Sequence, residues 1–169
     1  MKNLCILLFI LTISFSSNAQ SNVTAIKSFS LNEIISLLEK TSGKKQLDSI
    51  FSSHGYLFEN KGSVYAPSVN GPVKNAYTLR YKQNTFRVII SYFNNTPYLV
   101  NYFAPGDEEL DKLLLEIHEK GIQLITAPNS KTSSYGEYQK YRINIYNGNR
   151  KVVSIADVAI TQANQLVPF

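Results

Sequence analysis

The chain has 169 residues, a formal net charge of +5, eleven tyrosines, nine phenylalanines, no tryptophan and a single cysteine, Cys5. That length suffices for one domain with a sizeable core. A lone cysteine excludes an internal disulfide and a thiolate metal cage, and the basic residues form no arginine-rich run of the kind nucleic acid selects.

Residues 1–19 read as a signal peptide. Lys2 gives a basic start, Leu4 to Ile13 an apolar run too short to span a bilayer, and Ser17 and Ala19 the small residues of an A-x-A-like cleavage site. Cleavage near Ala19 predicts an exported protein, periplasmic or secreted, whose mature chain lacks cysteine and any transmembrane segment. Cys5 precedes the apolar run, whereas a lipoprotein cysteine follows it. Gln20, directly after the small residue, resembles the same position in signal peptides of Bacteroidota, and the whole chain resembles their small exported proteins.

Residues 20–29 form a short polar leader, and residues 30–169 read as one domain. Ser30-x-x-Glu33 is a capping box ahead of an amphipathic helix whose apolar face is Ile34, Ile35, Leu37 and Leu38. Gly43 interrupts it. A second short helix carries Leu47, Ile50 and Phe51 on one side and ends at Gly55. His54, just before that glycine, reads as a capping or surface residue, as Lys120 does before Gly121.

The period then changes to two. Residues 56–66 predict a strand with a turn at Lys61-Gly62, and residues 77–103 predict three strands joined by polar turns. A hairpin centred between Gln83 and Asn84 pairs Tyr81 with Phe86, Leu79 with Val88 and Tyr77 with Ile90, which matches the apolar faces. Tyr98, Val100 and Tyr102 continue the same face.

Acidic residues from Asp107 open a helix with a stripe of Leu110, Leu113, Leu114 and Ile117, stopped by Gly121. Ile122–Thr126 predicts a strand, residues 127–137 a loop, and residues 138–160 a hairpin turning at Asn147-Gly148. Phe51 and Leu47 stand four and eight residues before Gly55, and Ile117 and Leu113 stand likewise before Gly121. The spacing predicts two tandem helix-then-strands units, residues 30–104 and 105–160.

The fold expectation is therefore α+β: an antiparallel sheet of about six to eight strands with helices on one face. In layout this resembles the tandem-repeat β-lactamase inhibitor proteins. That resemblance implies a concave protein-binding surface and carries no residue motif.

Catalytic residue types are scarce. His118 lacks the second histidine of an H-E-x-x-H site, because position 122 is isoleucine. Ser42-x-x-Lys45, Ser68-x-Asn70 and Lys131-Thr132-Ser133 follow the order used by serine β-lactamases, but the chain is too short for that fold. Asp107, Glu108, Glu109 and Asp111 lack EF-hand spacing. No cofactor or metal is specified.

The remaining candidate is the sheet face opposite the apolar one. Arg80, Lys82 and Arg87 make it basic at one end, with Arg80 expected opposite Arg87, and Phe93 and Phe103 make it aromatic. The expected function is a non-catalytic exported binding protein, an inhibitor or immunity protein, with an acidic envelope protein or anionic polymer as partner and no nucleic acid. A glycan- or small-ligand-binding module is the alternative, and a small hydrolase a further one.

Overall fold

The computed structural model describes residues 27–39, 44–66, 71–128 and 130–163. The expected signal peptide, most of the expected leader, Gly43 and the serines of two of the β-lactamase-like patterns lie outside them.

The fold is α+β, with one eight-stranded antiparallel sheet. Helices α1 (Leu31–Glu39) and α2 (Lys44–Ser53) precede β1 (Leu57–Ala66), β2 (Gly71–Gln83), β3 (Phe86–Phe93) and β4 (Thr96–Ala104). Helix α3 (Asp107–Glu119) leads to β5 (Ile125–Thr126), β6 (Ser133–Tyr138), β7 (Tyr141–Asn147) and β8 (Lys151–Asp157), and α4 (Val158–Ala163) follows. The strand order is β1-β2-β3-β4-β8-β7-β6-β5, so two four-strand meanders meet at the β4–β8 pair.

Helices α1 to α3 cover one face. Their buried side chains, among them Leu31, Ile34, Leu47, Phe51, Leu113 and Ile117, form a single core with Tyr81, Ile90, Val100, Ile143 and Ile155 of the strands. Each such residue contributes about 1.5–3 kcal/mol on burial. The helix ends are built locally. The Ser30 N–H donates to Glu33 Oε2 at 2.8 Å and the Glu33 N–H donates to Ser30 Oγ at 3.2 Å, a closed capping box. Glu116 of α3 adds a tertiary cap, accepting the Leu31 N–H at 2.7 Å.

Both glycine stops form the same motif. Gly55 has φ +77° and Gly121 φ +70°. The N–H groups of Gly55 and Tyr56 donate to the carbonyls of Ser52 and Phe51; those of Gly121 and Ile122 donate to His118 and Ile117. These are paired Schellman closures, with the apolar residue after each glycine folded back on the last helical turn.

The structure corrects several local expectations. Gln83 pairs with Phe86, so the hairpin turns at Asn84-Thr85, with Asn84 at φ +53°. Tyr81 faces Val88, Leu79 faces Ile90 and Tyr77 faces Tyr92. This shift moves each partner by two, so the same side chains stay on the core face and hydrophobic pattern alone does not discriminate. Strand β1 runs straight through Lys61-Gly62. A Cβ at Gly62 would sit 2.9 Å from Thr78 Oγ1 on the adjacent strand, so a larger residue there would have to displace that side chain. An irregularity in the β3–β4 register moves Tyr98 out of the main core and into a second cluster with Leu99 and Ala156. Ile160 of α4 packs against that cluster.

Of the strand expected over Ile122–Thr126 only Ile125–Thr126 forms, and β6 lies where a loop was expected. The hairpin after β7 closes through a three-residue loop, since Asn147 pairs with Lys151. The chain after Asp157 is helix rather than strand, because Asp157 Oδ1 accepts the Ile160 N–H at 3.2 Å and caps a new helix.

Candidate functional site

The sheet face away from α1–α3 carries the candidate site. Its side chains fall into rows across the strands, because register places one residue of each strand side by side. Arg80 faces Ile89, Ile89 faces Asn101, and Asn101 faces Ser154. Ser154 faces Asn144 and Asn144 faces Tyr135. In the adjoining row Lys82 faces Arg87, Phe103 faces Val152 and Val152 faces Tyr146.

Two hollows lie on this face. The first, about 620 Å³, is lined by Glu59, Arg80, Phe86, Arg87, Phe103, Arg150 of the β7–β8 turn and Lys151 at the start of β8, among others. The second, about 540 Å³, is lined by Asn101, Tyr135, Asn144, Tyr146, Val152 and Ser154. Both include Ile89 and Phe103, so they adjoin.

The expected pairing of Arg80 with Arg87 does not form: Arg80 lies opposite Ile89. The like charges that do oppose each other are Lys82 and Arg87, and Glu59 of β1 neutralises both. Its carboxylate lies 3.3 Å from Arg87 Nε and 3.8 Å from Lys82 Nζ. Asp107 plays the same part for Lys151 at 3.0 Å. Among the described residues Arg80 and Arg150 have no ion-pair partner, and the buried Nε of Arg80 makes no hydrogen bond. An unmet buried donor costs about 1–3 kcal/mol, more for a charged group, which a bound acceptor recovers. At the centre of the face the Ser154 hydroxyl donates to Asn101 Oδ1 at 2.6 Å.

Arg80, Arg87 and Phe103 thus line one hollow. Lys82 lies beside it on Glu59. Phe93 is not brought to it, and packs instead against the Tyr98–Leu99–Ala156 cluster. Sequence reasoning missed Arg150, Tyr146, Asn144 and Ser154. The usable signal was the alternation along β7 and β8, which puts Asn144, Tyr146, Val152 and Ser154 on the side opposite Ile143, Ile145, Val153 and Ile155.

The histidines lie elsewhere. His118 is exposed on α3. His54 ends α2 but is not a surface residue: it is 4 % exposed, stacked on Phe29, with Nδ1 3.0 Å from the Ile50 carbonyl. Among the described residues no group of three His, Cys, Asp or Glu side chains is placed to hold a metal, and no helix is long and apolar enough to cross a membrane.

No protein-family model matches the chain, and neither a curated protein nor a solved structure matches it.

Proposed function

We propose that this is an exported, non-catalytic binding protein that takes an acidic protein partner on the open face of its sheet, as an inhibitor or immunity protein of an envelope protein does. The observation that carries the reading is the first hollow. Cations project into it from two separate parts of the chain, and the Arg80 guanidinium lacks the acceptor its half-buried position calls for. The two carboxylates of the hollow, Glu59 and Asp107, are engaged by cations, and neither hollow is lined by a histidine. That donor set favours holding over proton transfer. The meeting of two helix-led meanders at β4–β8 is consistent with tandem units sharing one sheet, and such a broad face suits a macromolecule.

The test compares the immobilised chain from residue 20 onward with its Arg80→Glu/Arg87→Glu variant. Envelope and culture extracts are passed over both. A single stoichiometric partner, released by salt and absent from the variant, supports the reading. Equal retention by both proteins, or none by the folded wild type, removes it.

A second reading has one observation in its favour. Tyr135, Tyr146 and Phe103 line the second hollow together with Asn101, Asn144 and Ser154, a combination of aromatic and amide groups that suits a sugar or small ligand. Calorimetry with neutral and acidic oligosaccharides tests it.

A further inference from the structure

We infer that the open face binds an extended polypeptide segment of the partner laid across the strands, its carboxylates in the Arg80–Arg150 hollow and its apolar side chains in the Phe103–Tyr146 hollow. This rests on the protein-binding reading above and adds the form, direction and chemistry of what is bound.

Length argues for a segment rather than a small molecule. From Arg80 on β2 to Tyr135 on β6 the row crosses five strand-to-strand steps, through Ile89, Asn101, Ser154 and Asn144. At about 4.8 Å per step that is roughly 24 Å, the reach of about seven extended residues. The hollows adjoin at Ile89 and Phe103, so one chain passes from the first to the second without leaving the face.

Charge sets the direction. In the first hollow Glu59 is held by Arg87 and Lys82, and Asp107 by Lys151; Arg80 and Arg150 remain for a carboxylate. Both are arginines, whose forked donors match a carboxylate better than an ammonium does. The second hollow has no ionisable side chain except the phenols of Tyr135 and Tyr146, and Val152 and Phe103 give it an apolar floor. Between them the Asn101 Oδ1 already accepts from Ser154, and the side chains of Asn101 and Asn144 offer amide donors to a main chain whatever its sequence. A second copy of this chain fits poorly, because a two-fold contact through this face brings its cations together.

The probe is a fluorescein-labelled peptide of about eight residues, Glu-Glu-Gly-Ser-Val-Gly-Phe-Leu, long enough to span the row. Its controls are the Gln-Gln analogue and a peptide of the same composition with acidic and apolar residues interleaved. The expected dissociation constant is about 0.1 mM, with roughly tenfold weaker binding of either control. Arg80→Gln/Arg150→Gln should weaken the probe roughly tenfold and Tyr146→Ser severalfold. Tyr146 is 45 % exposed, so its replacement should cost the fold little, and circular dichroism of the variant checks this. A spin label on the acidic end should broaden amides near Arg87 and spare those of β6.

Equal affinity for the Gln-Gln analogue, broadening at β6, or no probe binding overturns the inference. Tighter binding of an oligogalacturonate through the same arginines also overturns it, in favour of a glycan. If a captured protein depends on Arg80 while the peptide does not bind, the inference falls and the protein-binding reading stands.

Discussion

The imidazole of His54 lies flat on the ring of Phe29, centroids 3.9 Å apart and planes 8° apart. The pair joins the segment entering α1 to the end of α2, and Glu33 Oε1 stands 3.4 Å from His54 Nε2. Phe29 also meets Phe51, Tyr56 and Tyr102 within 6 Å, and is 2 % exposed. Phe29→Ala should therefore cost about 3–5 kcal/mol in urea unfolding. His54→Ala loses the stack and the contact with the Ile50 carbonyl, and should cost about 2 kcal/mol. A cost for His54→Ala near that of an ordinary surface change would mean the histidine is not held in this stack.

The two glycine stops allow a matched comparison. A methyl group added at Gly121 meets nothing within 4 Å, whereas at Gly55 it meets the end of the Gln83 side chain at 2.6 Å, which can swing away. Both substitutions to alanine should cost about 1–2 kcal/mol, the left-handed backbone term alone. Gly121→Asn should recover much of that, since asparagine tolerates the region. Gly136 differs in kind. A Cβ there sits 2.8 Å from the Gln123 carbonyl, a backbone atom, so Gly136→Ala should cost more than either stop despite its ordinary φ. Thermal melts of the four variants give the order.

Alkali should unfold the protein cooperatively. Burial pushes the phenols of Tyr56, Tyr81, Tyr92 and Tyr102 above their ordinary value of 10, and at Tyr81 the Asp48 carboxylate, which accepts its hydrogen bond at 3.0 Å, adds to the rise. The folded chain keeps protons that the unfolded chain releases. Stability is thus fully present below pH 10 and falls as pH rises beyond it, by up to about 1.4 kcal/mol per pH unit for each such tyrosine. Absorbance at 295 nm should show exposed phenols titrating first, then a steep step coincident with loss of circular dichroism. Smooth, non-cooperative titration of all eleven tyrosines with the fold intact contradicts the buried placement.

What could be read from the sequence was what neighbours decide. The Ser30–Glu33 capping box spans three residues, and the closures at Gly55 and Gly121 span five, so each is specified where it stands. The core faces of β2, β3 and most of β4 follow from alternation. Register did not, because moving Tyr81 from Phe86 to Val88 leaves every side chain on its face and only the Asn84 turn decides. Strand β6 was hidden by Gly136 and its serines, which read as loop. That glycine is required by the close Gln123 carbonyl, a tertiary cause. Helix α4 begins with Val158, Ala159 and Ile160, residues that read as strand until the Asp157 cap is seen. The site divided in the same way. Arg80, Arg87 and Phe103 lie on consecutive strands and could be grouped. Arg150 and Tyr146 reach the same face only because β8 pairs with β4, a contact between residues some fifty positions apart.

Glu59 provides the sharpest test of the open face. It neutralises Lys82 and Arg87, which oppose each other across β2 and β3, through contacts of 3.8 and 3.3 Å. The cations are about half exposed, so Glu59→Gln should cost the fold no more than about 1 kcal/mol. The same change leaves Arg87 unopposed beside Arg80 in the first hollow. An acidic ligand should then bind severalfold more tightly at low ionic strength, and the gain should fade at high salt as screening removes it. Titration of the acidic probe peptide at two salt concentrations measures this. Weaker binding by Glu59→Gln at both would show that the carboxylate serves the ligand by orienting Arg87, and that its positioning outweighs its charge.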